Sequence, residues 1–511
     1  MGSSVRRRPG SRAIPVVALA VLVALACAPA ARALEWRVER NLTGSAIFTD
    51  NANQSEDDPD SAVILTATPG VTLRSVGSRR VEATLQYGLT GAVRFGHDDG
   101  TDVLHNLNAL GKAELVEDFL FVDASARVSQ ELISLEGALV DAEISDENRA
   151  TVGTYTVSPH VRKRLGTFAN AQARYTASGA IFENDVAANS SVNEYTAALT
   201  SGTRFTDLSW GLDYLYREAN NRDYVDSTFE RASATLGYAL TRKFRVFGTV
   251  GDEWNDYLST TETDGSFYSA GFGWAPSRRT SIEVAAGERY FGSTWNVSAR
   301  HRTRASNWNV SYVEDLSDTT EFLLTSGTLY DYLCPGPDGT LQLITDWPFS
   351  LPPAPGCIAF GGTPGLVFDL RNGVFVSTVL RAGVSWGLGK LSYSLNAFDS
   401  LREYVVSESE DRTRGVTAGV NYRMAPKTSL TGSLSLTRLE ESIVTPTRVF
   451  ATQSDAEGRK DDIYTLTFGV RHQFDPELTG GLTYQHQHRD SNIANGDFTE
   501  NRITATVSMR F

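Results

Sequence analysis

Three groups of residues in this chain have types and spacing that could do chemistry. His97, Asp98 and Asp99 precede His105, and His486, His488 and Asp490 form a second group. A carboxylate beside an imidazole is the start of a general base. His486 and His488, two apart in an extended segment, share a face and could hold a metal ion. Neither group has a third partner in the sequence, and a polar rim accounts for both. The expectation is therefore no catalysis, no cofactor and no metal. The third group is Cys334 and Cys357. Two cysteines close together in an exported chain read as one disulfide.

A larger set is made of arginines. Arg231, Arg245, Arg300, Arg302, Arg381, Arg423, Arg471 and Arg510 stand on the polar face of alternating segments. Rings of charge set the selectivity of a pore, so a pore lined by these residues would draw anions. The other reading is that they pair with acids such as Glu114, Glu253 and Glu283 and only satisfy an interior.

The elements that must position them follow from a period of two. In the last segment Ile503, Ala505, Val507, Met509 and Phe511 fall on one face; Arg502, Thr504, Thr506, Ser508 and Arg510 fall on the other. That is a strand with one apolar and one polar side. The same alternation recurs from Trp36 to the end, for example in Leu391 to Ala397 and Val416 to Arg423. It predicts about 22 strands, within 20 to 24. Apolar sides facing lipid and polar sides facing a wet lumen describe a transmembrane antiparallel up-and-down β-barrel. A sandwich or solenoid would want an apolar interior, and no blade repeat of a propeller is present. A slightly negative mean hydropathy agrees, because only alternate residues meet lipid.

The first 33 residues read as a signal peptide. Arg6, Arg7, Arg8 and Arg12 precede an apolar run from Ile14 to Ala26, and Ala31-Arg32-Ala33 is a cleavage site. Cys27 raises a lipoprotein alternative, but Ala24 stands where a lipobox usually has leucine. The chain of 511 residues carries a net charge of −14; without the five leader arginines it has 42 basic and 61 acidic residues, a net −19. That balance argues against a nucleic-acid partner. The barrel is expected over residues 34–511. With strands opening near that start, no plug domain is expected and a TonB-dependent receptor is disfavoured.

Short connections are basic, as at Arg79-Arg80, Arg162 to Arg164, Arg242-Lys243 and Arg278-Arg279. Long ones are acidic, as at Asp141 to Glu147, Glu408 to Asp411 and Asp455 to Asp462. Short periplasmic turns and long outer loops are the rule for such barrels, which puts the acidic loops outside. There they could hold divalent cations bridging to lipopolysaccharide. The longest connection, 317–372, holds both cysteines, seven prolines and apolar residues such as Trp347 and Phe360. It is expected to be a loop, either compact and external or a disulfide-pinned constriction of the pore.

The closing strand, with Ile503, Val507, Met509 and the terminal Phe511, resembles the assembly signal of bacterial outer-membrane barrels. The opening stretch resembles a narrower family. Ile47-Phe48-Thr49-Asp50-Asn51, with Trp36 before it, Thr68-Pro69-Gly70-Val71 after it and Gln86-Tyr87-Gly88-Leu89 beyond, is similar to uncharacterised outer-membrane barrels associated with exosortase (PEP-CTERM) systems. That resemblance covers Trp36 to Phe95 and carries no functional residue. It implies a porin-like outer-membrane channel of a Gram-negative cell, near exopolysaccharide export. Its expected partners are outer-membrane lipid and lipopolysaccharide, the barrel-assembly machinery and polysaccharide-export components. The alternatives are a non-conducting scaffold of an export complex and an outer-membrane hydrolase.

Overall fold

The structure is a computed structural model. It describes residues 35–96, 99–134, 137–183, 189–222, 225–325, 330–335, 341–347, 358–359, 373–407, 409–442 and 458–511. The signal peptide, His97, Asp98 and Cys357 lie outside the described residues.

Alternating residues become strands in chain order. The first eight are β1 (Glu35–Thr49), β2 (Ala62–Val76), β3 (Val81–Phe95), β4 (Gly100–Val116), β5 (Leu120–Leu132), β6 (Arg149–Leu165), β7 (Ala169–Phe182) and β8 (Ser190–Ser201). Then come β9 (Leu208–Asn221), β10 (Ser227–Thr241), β11 (Phe244–Asp256), β12 (Gly265–Ser277), β13 (Thr280–Arg289), β14 (Gly292–Arg302) and β15 (Ser306–Asp318). A short helix α1 (Thr319–Thr325) and three short strands, β16 (Tyr330–Pro335), β17 (Leu341–Trp347) and β18 (Ile358–Ala359), follow. The wall resumes with β19 (Val374–Leu388), β20 (Leu391–Tyr404), β21 (Glu410–Ala425) and β22 (Thr428–Ser442). It ends with β23 (Arg459–Gln473), β24 (Leu478–Ser491) and β25 (Phe498–Arg510).

Twenty-two of these form one sheet, in which each wall strand pairs antiparallel with the next. β15 pairs with β19 across the long insertion. β25 pairs with β1, from Asn41 opposite Arg510 to Thr49 opposite Arg502, so the sheet closes into a barrel. Closure leaves no free sheet edge. Across the seam Thr43 Oγ1 and Ser508 Oγ lie 3.1 Å apart, and Phe511 N–H donates to Arg40 O at 2.9 Å.

The register fixes which residues share a face. Outward positions carry the exposed apolar side chains, among them Leu236, Val250, Phe468, Leu482 and Val507. Inward positions carry Thr, Ser, Asn, Gln and ion pairs. Inward rings occupy the space left by glycines of the neighbouring strand: a Cβ on Gly271 would stand 2.6 Å from the Phe247 ring, and one on Gly415 2.9 Å from Phe398.

The two rims differ as their composition predicted. Turns on the rim bearing Glu35 and Arg510 are tight, as at 242–243, 278–279, 389–390 and 426–427. Gly389 serves one of them with φ +63°. The opposite rim carries the longer connections, including 50–61, 133–148, 319–373 and 443–458.

The long insertion departs from the expected plain loop. It begins at Thr319 rather than Ser317, because β15 runs on to Asp318, and it contains α1 and the three-stranded sheet β17-β16-β18. Pro335 is tolerated because it ends β16. Leu333 stands opposite Ile358. These are the sequence neighbours of Cys334 and Cys357, but Cys357 is not described and the bridge stays an expectation.

Candidate functional site: a bridged mouth above a basic lumen

The segment 133–148 folds inward from the tops of β5 and β6. Its neck is tied by Asn148, whose Nδ2 donates to Ser134 O at 2.7 Å and to Ala138 O at 3.0 Å. Val140 and Ile144 then pack with Ala52, Ala62, Ile64 and Ala92 on the inner side of β2, β3 and the 50–61 connection. Leu139 joins the cluster of Leu132, Leu439 and Ile463, which reaches β22 and β23. Polar contacts hold the same segment. Leu139 N–H donates to Gln54 Oε1 at 2.7 Å, and Arg502 bonds Asp141 at 2.8 Å and Glu500 at 2.9 Å. Glu500, 1% exposed, also accepts from Thr49 and Gln54. Arg94 pairs with Asp102 and, at 3.6 Å, with Asp146. Burial and the neighbouring Asp141 push the Glu143 carboxyl above its ordinary range.

The second inward element is α1. Asp318 caps it, accepting from Glu321 N–H at 2.9 Å. Its apolar side splits: Leu323 packs on Val152, Ala180 and Phe182 of β6 and β7, while Phe322 meets Phe375 and Tyr404 of β19 and β20. The Arg402 guanidinium lies 3.9 Å from the Phe322 ring centre. Thr320 Oγ1 donates to Ser190 Oγ on β8 at 2.8 Å. Arg217, 5% exposed, reaches from β9 to Asp318 and, at 3.5 Å, to Glu321. Burial, with Asp318 and Asp315 nearby, raises the Glu321 carboxyl to about 7, the Arg217 charge opposing. α1 thus ties strands on opposite sides of the opening.

All eight arginines singled out in the sequence lie on the inner face by register. Arg245 does pair with Glu283. Glu253 is taken by Arg289 at 2.7 Å, and Glu114 accepts from Asp118 N–H. Arg231, Arg300, Arg302, Arg423, Arg471 and Arg510 have no ion-paired carboxylate among the described residues. Arg423, Ser429 and Arg471 share one register row. Cations near the loop rim are therefore largely paired, and those toward the opposite rim are largely bare.

Of the first histidine group, Asp99 and His105 are described, and His97 and Asp98 lie outside the described residues. His105 faces outward and shares a hydrogen bond with the Tyr87 hydroxyl at 2.8 Å. His486 and His488 also face outward, bonded to Asn501 at 2.9 Å and Thr499 at 3.0 Å. Among the described residues no group of three metal-ligating side chains converges.

Sequence reading missed the 133–148 segment as a luminal element, taking it for an acidic outer loop. The available signal was Leu139, Val140 and Ile144 among the acids, the kind of apolar excess that singled out 317–372.

No protein-family model matches this chain, and no curated protein matches it. Solved structures do. The FrpB iron transporter from Neisseria meningitidis (F5-1 variant, apoprotein) aligns over 93% of this chain and 81% of its own, with a TM-score of 0.51 and 9% identity. The siderophore receptor PirA from Acinetobacter baumannii aligns over 93% and 80%, with 0.50 and 7%. At such identity the likeness shows the fold: the chain has the architecture of outer-membrane-type 22-stranded barrels.

Proposed function

We propose that this protein is an outer-membrane channel for small anionic or polar solutes, restricted at its loop-bearing end and basic at the other. The observation carrying this reading is the division of the luminal arginines. Near the mouth Arg94, Arg217 and Arg502 are consumed in holding 133–148 and α1; farther in, Arg300, Arg302, Arg423 and Arg471 stand without carboxylate partners on a wetted wall. Charge of one sign in a low-dielectric tube concentrates the opposite ion. Among the described residues, the elements found in the lumen, 133–148 and α1, are parts of wall connections. The outer-membrane setting is supported by the closed barrel and its apolar outer face. The link to exopolysaccharide and PEP-CTERM export rests on the likeness of Trp36 to Phe95 alone.

The test is single-channel recording of the refolded mature protein in a planar bilayer. Anion-preferring conductance is expected, with Arg423→Glu plus Arg471→Glu shifting the reversal potential toward cations. Silence from a properly folded barrel would favour the export scaffold instead.

A further inference from the structure

The rim of tight turns is basic along one continuous arc. From β10 to β20 its turns carry Arg242 and Lys243, Arg278 and Arg279, Arg304, and Lys390, all exposed. Arg245, Arg300 and Arg302 stand beside them on the inner face. Within four residues of these turns, on every strand of the arc, the one acid is Glu283, and Arg245 takes it. The other cations bond no carboxylate among the described residues. The opposite flank, from β23 round to β5, is mixed instead. There Asp475, Glu477, Glu117 and Asp118 stand in the turns, and Glu117 bonds Arg80 at 2.7 Å.

We propose that this arc docks an extended acidic segment of a water-soluble protein. The proposal rests on the outer-membrane reading above, which puts the arc in the periplasm, and it names a partner for the basic end of the channel. Successive turns stand about 10 Å apart, two strand spacings. Three residues of an extended chain span the same distance, so a run of glutamates or aspartates brings a carboxylate to each turn. One exposed pair is weak, but a row of like charges steers and holds a partner of opposite sign. Outward positions beside the turns carry Leu240, Trp274, Trp308 and Leu388, all exposed. A lipid headgroup arriving from the bilayer meets that apolar belt first, whereas the bases are reached from water. The opposite flank lies about 40 Å away by strand number, spacing and tilt. That is well beyond the ~8 Å screening length of physiological salt, so the site is local.

The experiment places the full mature barrel in phosphatidylcholine nanodiscs, which leave both rims accessible. A fluorescein-labelled peptide of about ten glutamates, long enough to span three turns, is titrated in and read by anisotropy. Binding is expected, weakening as salt rises. Arg242→Glu with Arg279→Glu is expected to weaken it about tenfold or more, since each reversal replaces an attraction by a repulsion. Arg79→Glu with Arg80→Glu, on the opposite flank, should leave it within about twofold. Arg304→Glu alone, expected to weaken binding about threefold, serves if the first variant folds poorly. These variants keep Arg423 and Arg471, so anion conduction in the bilayer is tested separately and can stand when docking fails. Equal binding by wild type and the first variant, or none by wild type, overturns the docking surface. So does loss of wild-type binding when phosphatidylglycerol is added to the disc, which would give the arc to lipid headgroups.

Discussion

Arg502 joins three parts of the chain at once. It bonds Glu500 beside it on β25 and Asp141 in the inward segment, while Glu500 holds Thr49 and Gln54. Removing one partner of a buried pair leaves an uncompensated charge, a loss of about 3 kcal/mol or more. Arg502→Ala is therefore expected to lower the temperature of heat modification clearly and to raise conductance as 133–148 loosens. Arg438→Ala, which breaks an exposed pair, should shift the same midpoint little. Comparing their denaturation midpoints in the same detergent checks both. Single residues were only partly legible in the sequence. Alternation puts Arg245 and Glu283 on one face, but it does not measure the cross-strand reach that pairs them. It also says nothing of Arg217, whose partner Asp318 lies on β15, far along the chain.

At the scale of elements, α1 is a titratable bridge. The docked Glu321 carboxyl has a pKa near 7, raised from an ordinary value of 4.5. A raised carboxyl favours the docked form when protonated. Docking is thus strongest below about 4.5 and weakens as pH rises through about 7. Protection factors of the α1 amides, with the intrinsic pH dependence of exchange divided out, should be higher at pH 5 than at pH 8, and Glu321→Gln should flatten the difference. An unchanged profile in the variant would show that another group is responsible. Replacing residues 137–147 by a short glycine-serine linker should enlarge the conductance, read in the same bilayer assay. The wall strands were legible because every second residue faces outward; the alternation at Leu391 to Ala397 and Val416 to Arg423 falls inside β20 and β21. The inward elements were not, because a connection's direction depends on what it packs against. Ile64 and Ala92 lie on the inner face of β2 and β3, and nothing in those strands signals that Ile144 would cover them.

At the scale of the molecule, closure is the event that defines the barrel. Its seam joins β25 to β1, and Phe511 adds a further hydrogen bond to Arg40 while exposing its ring outward. Phe511→Ser is expected to reduce the yield of heat-modifiable protein in the outer membrane, measured by cold and boiled electrophoresis; an unchanged yield would remove the last residue from the assembly signal. Strand number and the asymmetry of the rims were both legible, since turn length and charge are local properties. The mutual arrangement of the mouth was not, since it is made across the lumen.

The rim is also uneven. β13 and β14 are joined by Tyr290 and Phe291 alone, the briefest link on the loop side among the described residues, and they are short strands. Neither inward element touches them: 133–148 is anchored toward β1 to β3 and β22 to β25, and α1 toward β6 to β9 and β19 to β20. The barrel thus has a doorstep. On the proposed channel reading, this flank of the described rim is where a solute is expected to enter, sideways over β13 and β14 rather than from straight above.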